Sequence, residues 1–365
     1  TVADRSWNAR GGSYTDGGAF IFNLDKTGNG ATERHITCVD KFGREVEPPP
    51  EDQKAYLPGR VYYLDEGEEK ERFDVSRFFE LQRDDLLFEY MRDELVTWDF
   101  SDFMDCLKEV KGWALKGDAH LEMALSALTR LLDRRYPTYD KKRRSILQMV
   151  NQTLEAIFRN FPSLAREDVK SAYRLVDWET RQFFRGPSYD EKVLIVDASL
   201  FPPEGDHCDS RLMAEAFLRG WRRFIVFGLK GQRFHGCGLG PDSGGVRIDI
   251  YGSSGDYLGS GIDGLSIHVH GNSQDQLGQI MKAGKMVIYG DVGQTFMYGA
   301  KGGEVYVMGN AAGRPLINAV GRPRVVINGT CLDYLGESFM AGDPHNGGGF
   351  VVLNGMTFDD QGEII

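Results

Sequence analysis

The chain has 365 residues, 41% of them hydrophobic, which is enough for two or three folding units with a sizeable core. Its 43 Lys+Arg against 54 Asp+Glu leave a formal net charge of -11, which disfavours nucleic acid and anionic lipid as general partners and points to basic protein surfaces. Five cysteines (Cys38, Cys106, Cys208, Cys237, Cys331) form an odd, widely spaced set without a CxxC pair, excluding a disulfide scaffold and a structural zinc ladder and predicting a reducing cytoplasm.

No run of about 18 apolar residues predicts a membrane span, and Thr1-Val2-Ala3-Asp4 has neither a charged nor an apolar signal region. A chain starting at Thr1 implies processing or trimming, and the expectation is a soluble cytoplasmic protein. Residues 1–83 read as an irregular β-rich arm, with strand-like runs at 19–22, 35–39 and 61–64 separated by Gly-Gly, Thr-Gly-Asn-Gly and a Pro triplet. The mixed charges of Glu66 to Arg72 read as a solvated loop.

Residues 84–185 change to helical spacing: Leu121, Leu125, Leu128 and Leu132, then Ile146, Met149, Val150, Leu154, Ile157 and Phe158. Four or five helices are expected, starting at positions such as Asp118 and Asp140 and broken near Pro137 and Pro162. The basic run 141–144 reads as a solvated first turn, and the block as a docking or spacer module. Residues 186–239 then read as strand, helix, strand: 192–197, 209–220 and 223–227. One crossover of this kind predicts two parallel strands. Gly236-x-Gly238 follows the second strand without opening a helix, so a dinucleotide fingerprint is not expected.

The last third is organised by glycine: 29 of the 45 lie between Gly231 and Gly355. Gly252, Gly271, Gly290 and Gly309 recur every 19 residues, followed by Gly329 and Gly355, and each anchor closes a short alternating strand. A second glycine sits seven residues past the anchor at Gly259, Gly278 and Gly336. Nineteen residues can hold two or three short strands only if the chain bends sharply between them, so the period predicts a stacked coil. Leu258, Leu277, Phe296 and Leu335, and Ile262, Met281, Ala300, Ala319 and Phe339, are the predicted inward rows. Glycine at the corners is explained by positive φ or by close approach of neighbouring coils. A sandwich or barrel would need no such register. The fold class is therefore mainly β: a right-handed parallel β-helix over 240–365, with a short C-terminal tail, behind the strand-helix-strand unit, the helical block and the arm.

The unit Gly-x-x-x-Asp-x-Leu-Gly…Gly-x-x-Ile-x-Val-x-Gly, running from Gly252 to Gly271 and partly repeated to Gly290, resembles the GXGXG domain of the glutamate synthase large subunit. Upstream, 214–220, 224–227 and 231–234 resemble the entry to the stand-alone form of that domain, so the likeness covers about 190–356. That form is a separate subunit in archaeal-type glutamate synthases and N-methylglutamate synthases, and a related domain is the C subunit of formylmethanofuran dehydrogenase. The resemblance implies a chain that binds no cofactor itself. Its implied partners are flavin- and iron–sulfur-bearing synthase-like chains and glutaminase-like chains, with FMN and iron–sulfur clusters on those chains.

Other features are weighed individually. His268 and His270 alternate on one strand face and read as a partner-contact face, ahead of a metal pair. Asp256, Asp275 and Asp333 recur at position four and read as turn caps, ahead of a cation site. Cys237 beside His235 reads as a core cysteine, ahead of an activated thiolate. Gln232 and Arg233 are the preferred ligand or partner contacts. No catalytic and no metal-ligating residue is assigned. The expected function is a non-catalytic scaffold subunit of a glutamate-synthase-like redox complex. Alternatives are the same role in a formylmethanofuran dehydrogenase or formyltransferase-type complex, and a stand-alone enzyme with its site on a coil face, which would need paired carboxylates.

Overall fold

The computed structural model describes two strands, Ile21–Asp25 and His35–Val39, and residues 73, 75–166, 168–343 and 346–356. The chain divides into two compact units, Thr1–Lys70 and Glu71–Ile365. In the first, β1 (Ile21–Asp25) pairs antiparallel with β2 (His35–Val39). The strand expected at 61–64 and the charged loop at 66–72 lie outside the described residues.

The second unit opens with five helices: α1 (Ser76–Glu80), α2 (Asp84–Glu94), α3 (Phe100–Ala114), α4 (Asp118–Asp133) and α5 (Arg143–Phe158). Helix α3 is set by a reciprocal cap, the Asp99 carboxylate accepting the Asp102 N–H at 2.8 Å and the Asp102 carboxylate accepting the Asp99 N–H at 3.0 Å. Leu121, Leu128, Ile146, Met149, Val150, Leu154, Ile157 and Phe158 are all buried, as the spacing predicts. Helix α5 starts at Arg143 rather than at Asp140, and the basic run is not simply solvated. Lys141 is buried with Nζ 2.6 Å from Asp140, and the Arg143 guanidinium lies 5.1 Å from the Tyr136 ring centroid while donating to the Arg134 carbonyl at 2.7 Å.

A nine-stranded, wholly parallel sheet follows, in the spatial order β11-β10-β9-β8-β7-β6-β5-β4-β3. Its strands are β3 (Tyr173–Val176), β4 (Val193–Asp197), β5 (Arg223–Phe227), β6 (Arg247–Tyr251), β7 (Asp263–His270), β8 (Ala283–Ile288), β9 (Glu304–Val307), β10 (Arg324–Ile327) and β11 (Phe350–Leu353). β4 and β5 are joined through α6 (Asp209–Leu218) and pair in parallel, as the crossover predicts. The sheet begins at β3, within the stretch read as helical, and runs unbroken from the entry unit into the repeats through the β5–β6 pair. With six α-helices among the described residues, the class is mixed α/β rather than mainly β.

Register turns the alternating strands into stacked rows. Leu194, Phe224, Ile248, Ile267, Met286, Val305 and Val325 lie side by side and are all buried, and so do Val196, Val226, Ile250, Val269, Ile288, Val307 and Ile327. The segments between strands stack as well. Parallel bridges link Ser254, Ser273, Val292, Ala311 and Cys331 in sequence, and the N–H groups of Gly278, Met297, Leu316 and Gly336 donate to Leu258, Leu277, Phe296 and Pro315 of the preceding unit at 2.7–2.9 Å. Leu258, Leu277, Phe296, Ile262, Met281, Ala300 and Ala319 are buried inside, whereas Leu335 and Phe339 of the last unit are half-buried because no described unit covers them.

Candidate functional site

Two surfaces of the repeat carry its polar chemistry: the outer sheet face, where alternate strand residues project, and the corners, where the chain turns. At the corners the anchor glycines are fixed by proximity. A Cβ on Gly271 would lie 2.5 Å from the Gly252 carbonyl oxygen, and on Gly290, Gly309 and Gly329 it would lie 2.6–2.7 Å from the corresponding oxygen of the preceding anchor. The second glycine row answers to φ instead: Gly259, Gly278 and Gly336 sit at 63°, 63° and 69°. In register with them, Met297 and Leu316 adopt 59° and 60°. The flanking positions are left-handed too, at Tyr257, Gln276, Thr295, Arg314 and Tyr334, and at Gly261, Ile280, Gly299, Asn318 and Ser338. Each corner thus alternates left-handed residues with ordinary ones, which turns Leu258 and its equivalents inward.

Side chains also bridge from coil to coil. Asp256 Oδ1 accepts the Asp275 N–H at 3.1 Å, and Asp275 Oδ1 accepts the Gln294 N–H at 2.8 Å. This is the turn-capping role expected of Asp256 and Asp275, and burial raises the Asp275 carboxyl above its ordinary range while the Gln294 N–H opposes the shift. A second ladder was not read from sequence: Asn272, Asp291 and Asn310 each accept the backbone N–H one unit on, from Asp291, Asn310 and Thr330, at 2.7–2.9 Å. Its signal is a polar amide or carboxylate immediately after the anchor glycine.

On the outer face, His268 and His270 project together but meet different surroundings. His270 is 5% exposed, stacked between Tyr251 (centroids 4.5 Å apart) and Tyr289 (5.3 Å). Its Nδ1 lies 2.9 Å from Asp133 Oδ1 at the end of α4, and Nε2 lies 3.5 Å from Asp249 Oδ1 on β6. Burial works against the charged ring, yet the two carboxylates outweigh it and raise its pKa to about 9. Asp249 is desolvated too, but His270 and a forked Arg247 guanidinium, with contacts of 2.7–3.1 Å, hold its carboxyl far below the usual range. Burial pushes the Asp133 carboxyl up against the pull of His270. His268 is lowered to about 4 by burial and by the Arg247 charge, and is therefore neutral at neutral pH. Phe158 of α5 rests on Phe227 and Tyr251, and the Thr129 and Tyr251 hydroxyls share a 2.9 Å hydrogen bond. The His270 face is thus occupied by the chain's own helices.

Gln232 also turns inward. It is 2% exposed, its amide nitrogen donating to the Ala198 and Phe201 carbonyls at 2.8 and 3.1 Å while its oxygen accepts the Lys230 N–H at 2.5 Å. It clasps the entry unit and leaves no amide group for a partner. Arg233 is half-buried and bridges Glu204 (2.8 Å) and Asp256 (3.0 Å). Cys237 is half-buried rather than in the core, its thiol pushed up to about 12 by burial, and the Asp209 carboxylate lies 2.7 Å from His235 Nε2. Among the described residues no group of three or more His, Cys, Asp or Glu is placed to hold a metal ion. No helix of the described residues is long and apolar enough to cross a membrane.

These features define a repeat protein of stacked turns, capped from coil to coil by backbone and side chain. Residues 226–359, the repeats with the end of β5 that leads into them, match the family described as GXGXG motif. Within that range Gly259 and Gly261 both sit at left-handed φ, 63° and 72°. No curated protein and no solved structure matches the chain.

Proposed function

We propose that this chain is a non-catalytic scaffold subunit of a cytoplasmic, glutamate-synthase-like redox complex. Residues 240–356 act in it as a right-handed parallel β-helix. The observation that carries the reading is the GXGXG match over 226–359, on a sheet whose rows are locked in register from β4 to β10. Hydrogen bonding between coils along the strand, the bridge row and the corner gives a stiff body, suited to holding other chains in fixed relation. In this reading FMN and iron–sulfur clusters reside on partner subunits, with a glutaminase-like chain as a further partner. The archaeal-type or N-methylglutamate synthase form of the subunit is the member favoured by the strand-helix-strand entry, β4-α6-β5.

Native mass spectrometry of the complex isolated from its source, with flavin and iron analysis of each chain, tests this. The expected result is one assembly containing this chain, with flavin and iron on the others. A chain that isolates alone and turns over a small molecule, or that itself carries an iron–sulfur cluster, overturns it.

A further inference from the structure

Three successive corners, at the starts of β8, β9 and β10, form a groove of about 440 Å³ whose chemistry runs against that of the whole chain. Its side chains include Lys282, Lys301, Arg322 and Arg324 against a single carboxylate, Glu304, in a protein of net charge -11. Its floor is backbone, because Gly302 and Gly321 lie against the preceding coil: a Cβ there would sit 2.3 Å from the Lys282 carbonyl oxygen and 2.6 Å from that of Lys301. Lys282 reaches Asp263 only at 3.8 Å, and Arg324 reaches Glu304 at 3.4 Å. Lys301 and Arg322 are exposed and form no ion pair among the described residues. Their backbone N–H groups are used within the coil, donating to the Met281 and Lys301 carbonyls at 2.8 and 3.0 Å.

We infer that this groove docks an extended acidic segment of a partner protein. Organic small-molecule sites are lined mainly by apolar side chains, and here the only apolar side chain is Ala283. Successive coils advance by about 4.8 Å, so the cations from Lys282 to Arg322 span roughly 10 Å, and an extended strand places same-face side chains about 7 Å apart. Two carboxylates at alternate positions therefore fall within reach of three cations. The choice of a protein occupant rests on the proposed scaffold role.

The test uses the full chain and a fluorescent peptide with Asp at alternate positions, titrated at low and at physiological salt. Binding is expected to weaken as ionic strength rises, and to weaken at least tenfold in the double variant Lys301→Glu/Arg322→Glu. The control Lys170→Glu/Lys192→Glu makes the same charge change at exposed sites away from the groove and should retain most of the affinity. Equal losses in both variants overturn the inference, as does pyrophosphate binding alone tenfold more tightly than the peptide, which would mark a small-anion site. If the groove variant still assembles with all native partners at unchanged affinity, this inference fails while the scaffold role stands. If the wild-type chain has no partners, the scaffold role itself fails.

Discussion

The outer face of one sheet has two fates. Along β5 to β8 it lies beneath α4 and α5, and its row of Phe227, Tyr251, His270 and Tyr289 is stacked or buried against the helices, with the carboxylates of Asp249 and Asp133 closed inside and the exposed Arg247 reaching Asp249 from the edge. Along β9 to β11 the face is open. Met308 is exposed, Asn328 and Asn354 bond one another at 2.8 Å, and Val352 is exposed. The inward rows are the same in both halves, so the repeat supplies the stack, and the helices decide which outward residues become buried and charged.

Removing a charge from the covered half should have the largest effect. Asp133→Ala strips the closest partner from a buried imidazolium and is expected to cost about 3–5 kcal/mol, whereas Asn328→Ala on the open half should stay within roughly 0.5 kcal/mol. Urea unfolding of both variants measures the contrast, and equal midpoints would dissolve it.

The two histidines sharpen the comparison through pH. His270 has a folded pKa of about 9 against an unfolded value near 6.5, so its contribution is complete below about pH 6.5 and is lost as pH rises through about 9. His268, lowered to about 4, behaves oppositely: its contribution is complete above about pH 6.5 and fades as pH falls toward 4. Melting temperatures from pH 4.5 to 9.5 should therefore fall on both sides. His270→Gln should flatten the alkaline limb and His268→Gln the upper part of the acid limb, and unchanged limbs would refute the assignment.

Glycine separates coil from helix at smaller magnitude. Gly290→Ala forces a Cβ to 2.7 Å from the Gly271 carbonyl oxygen and should destabilise by about 1–3 kcal/mol. Gly112→Ala inside α3 meets nothing within 4 Å and should stabilise by about 0.5–1 kcal/mol. A gain of similar size is expected at Thr295, a β-branched residue at φ 59°. Thr295→Asn should gain about 0.5–1 kcal/mol by easing that conformation, read as a raised melting temperature.

The period in glycine was enough to place the strands of the repeat and its inward rows, because a stacked coil repeats its environment and the residues repeat with it. The corner chemistry was only half legible. Gly259 and Gly278 announce left-handed positions, but Met297 and Leu316 fill the same positions without a signal, held there by neighbouring coils. Gln232 read as a contact because a polar residue beside an arginine resembles a surface pair, yet the three backbone groups it satisfies lie on segments folded around it. The groove at 282–324 escaped notice because its cations are spread over three coils.

What the residues determined unaided was the winding: the spacing of glycine and the alternation of apolar side chains follow from local sterics and burial, which act over one repeat length. What required the folded molecule was the fate of each outward side chain. Asp133 and His270 are 137 positions apart, and nothing local to either encodes the other. Their pairing, and the raised basicity that comes with it, exists only because the helices close over the upper strands and exclude water there.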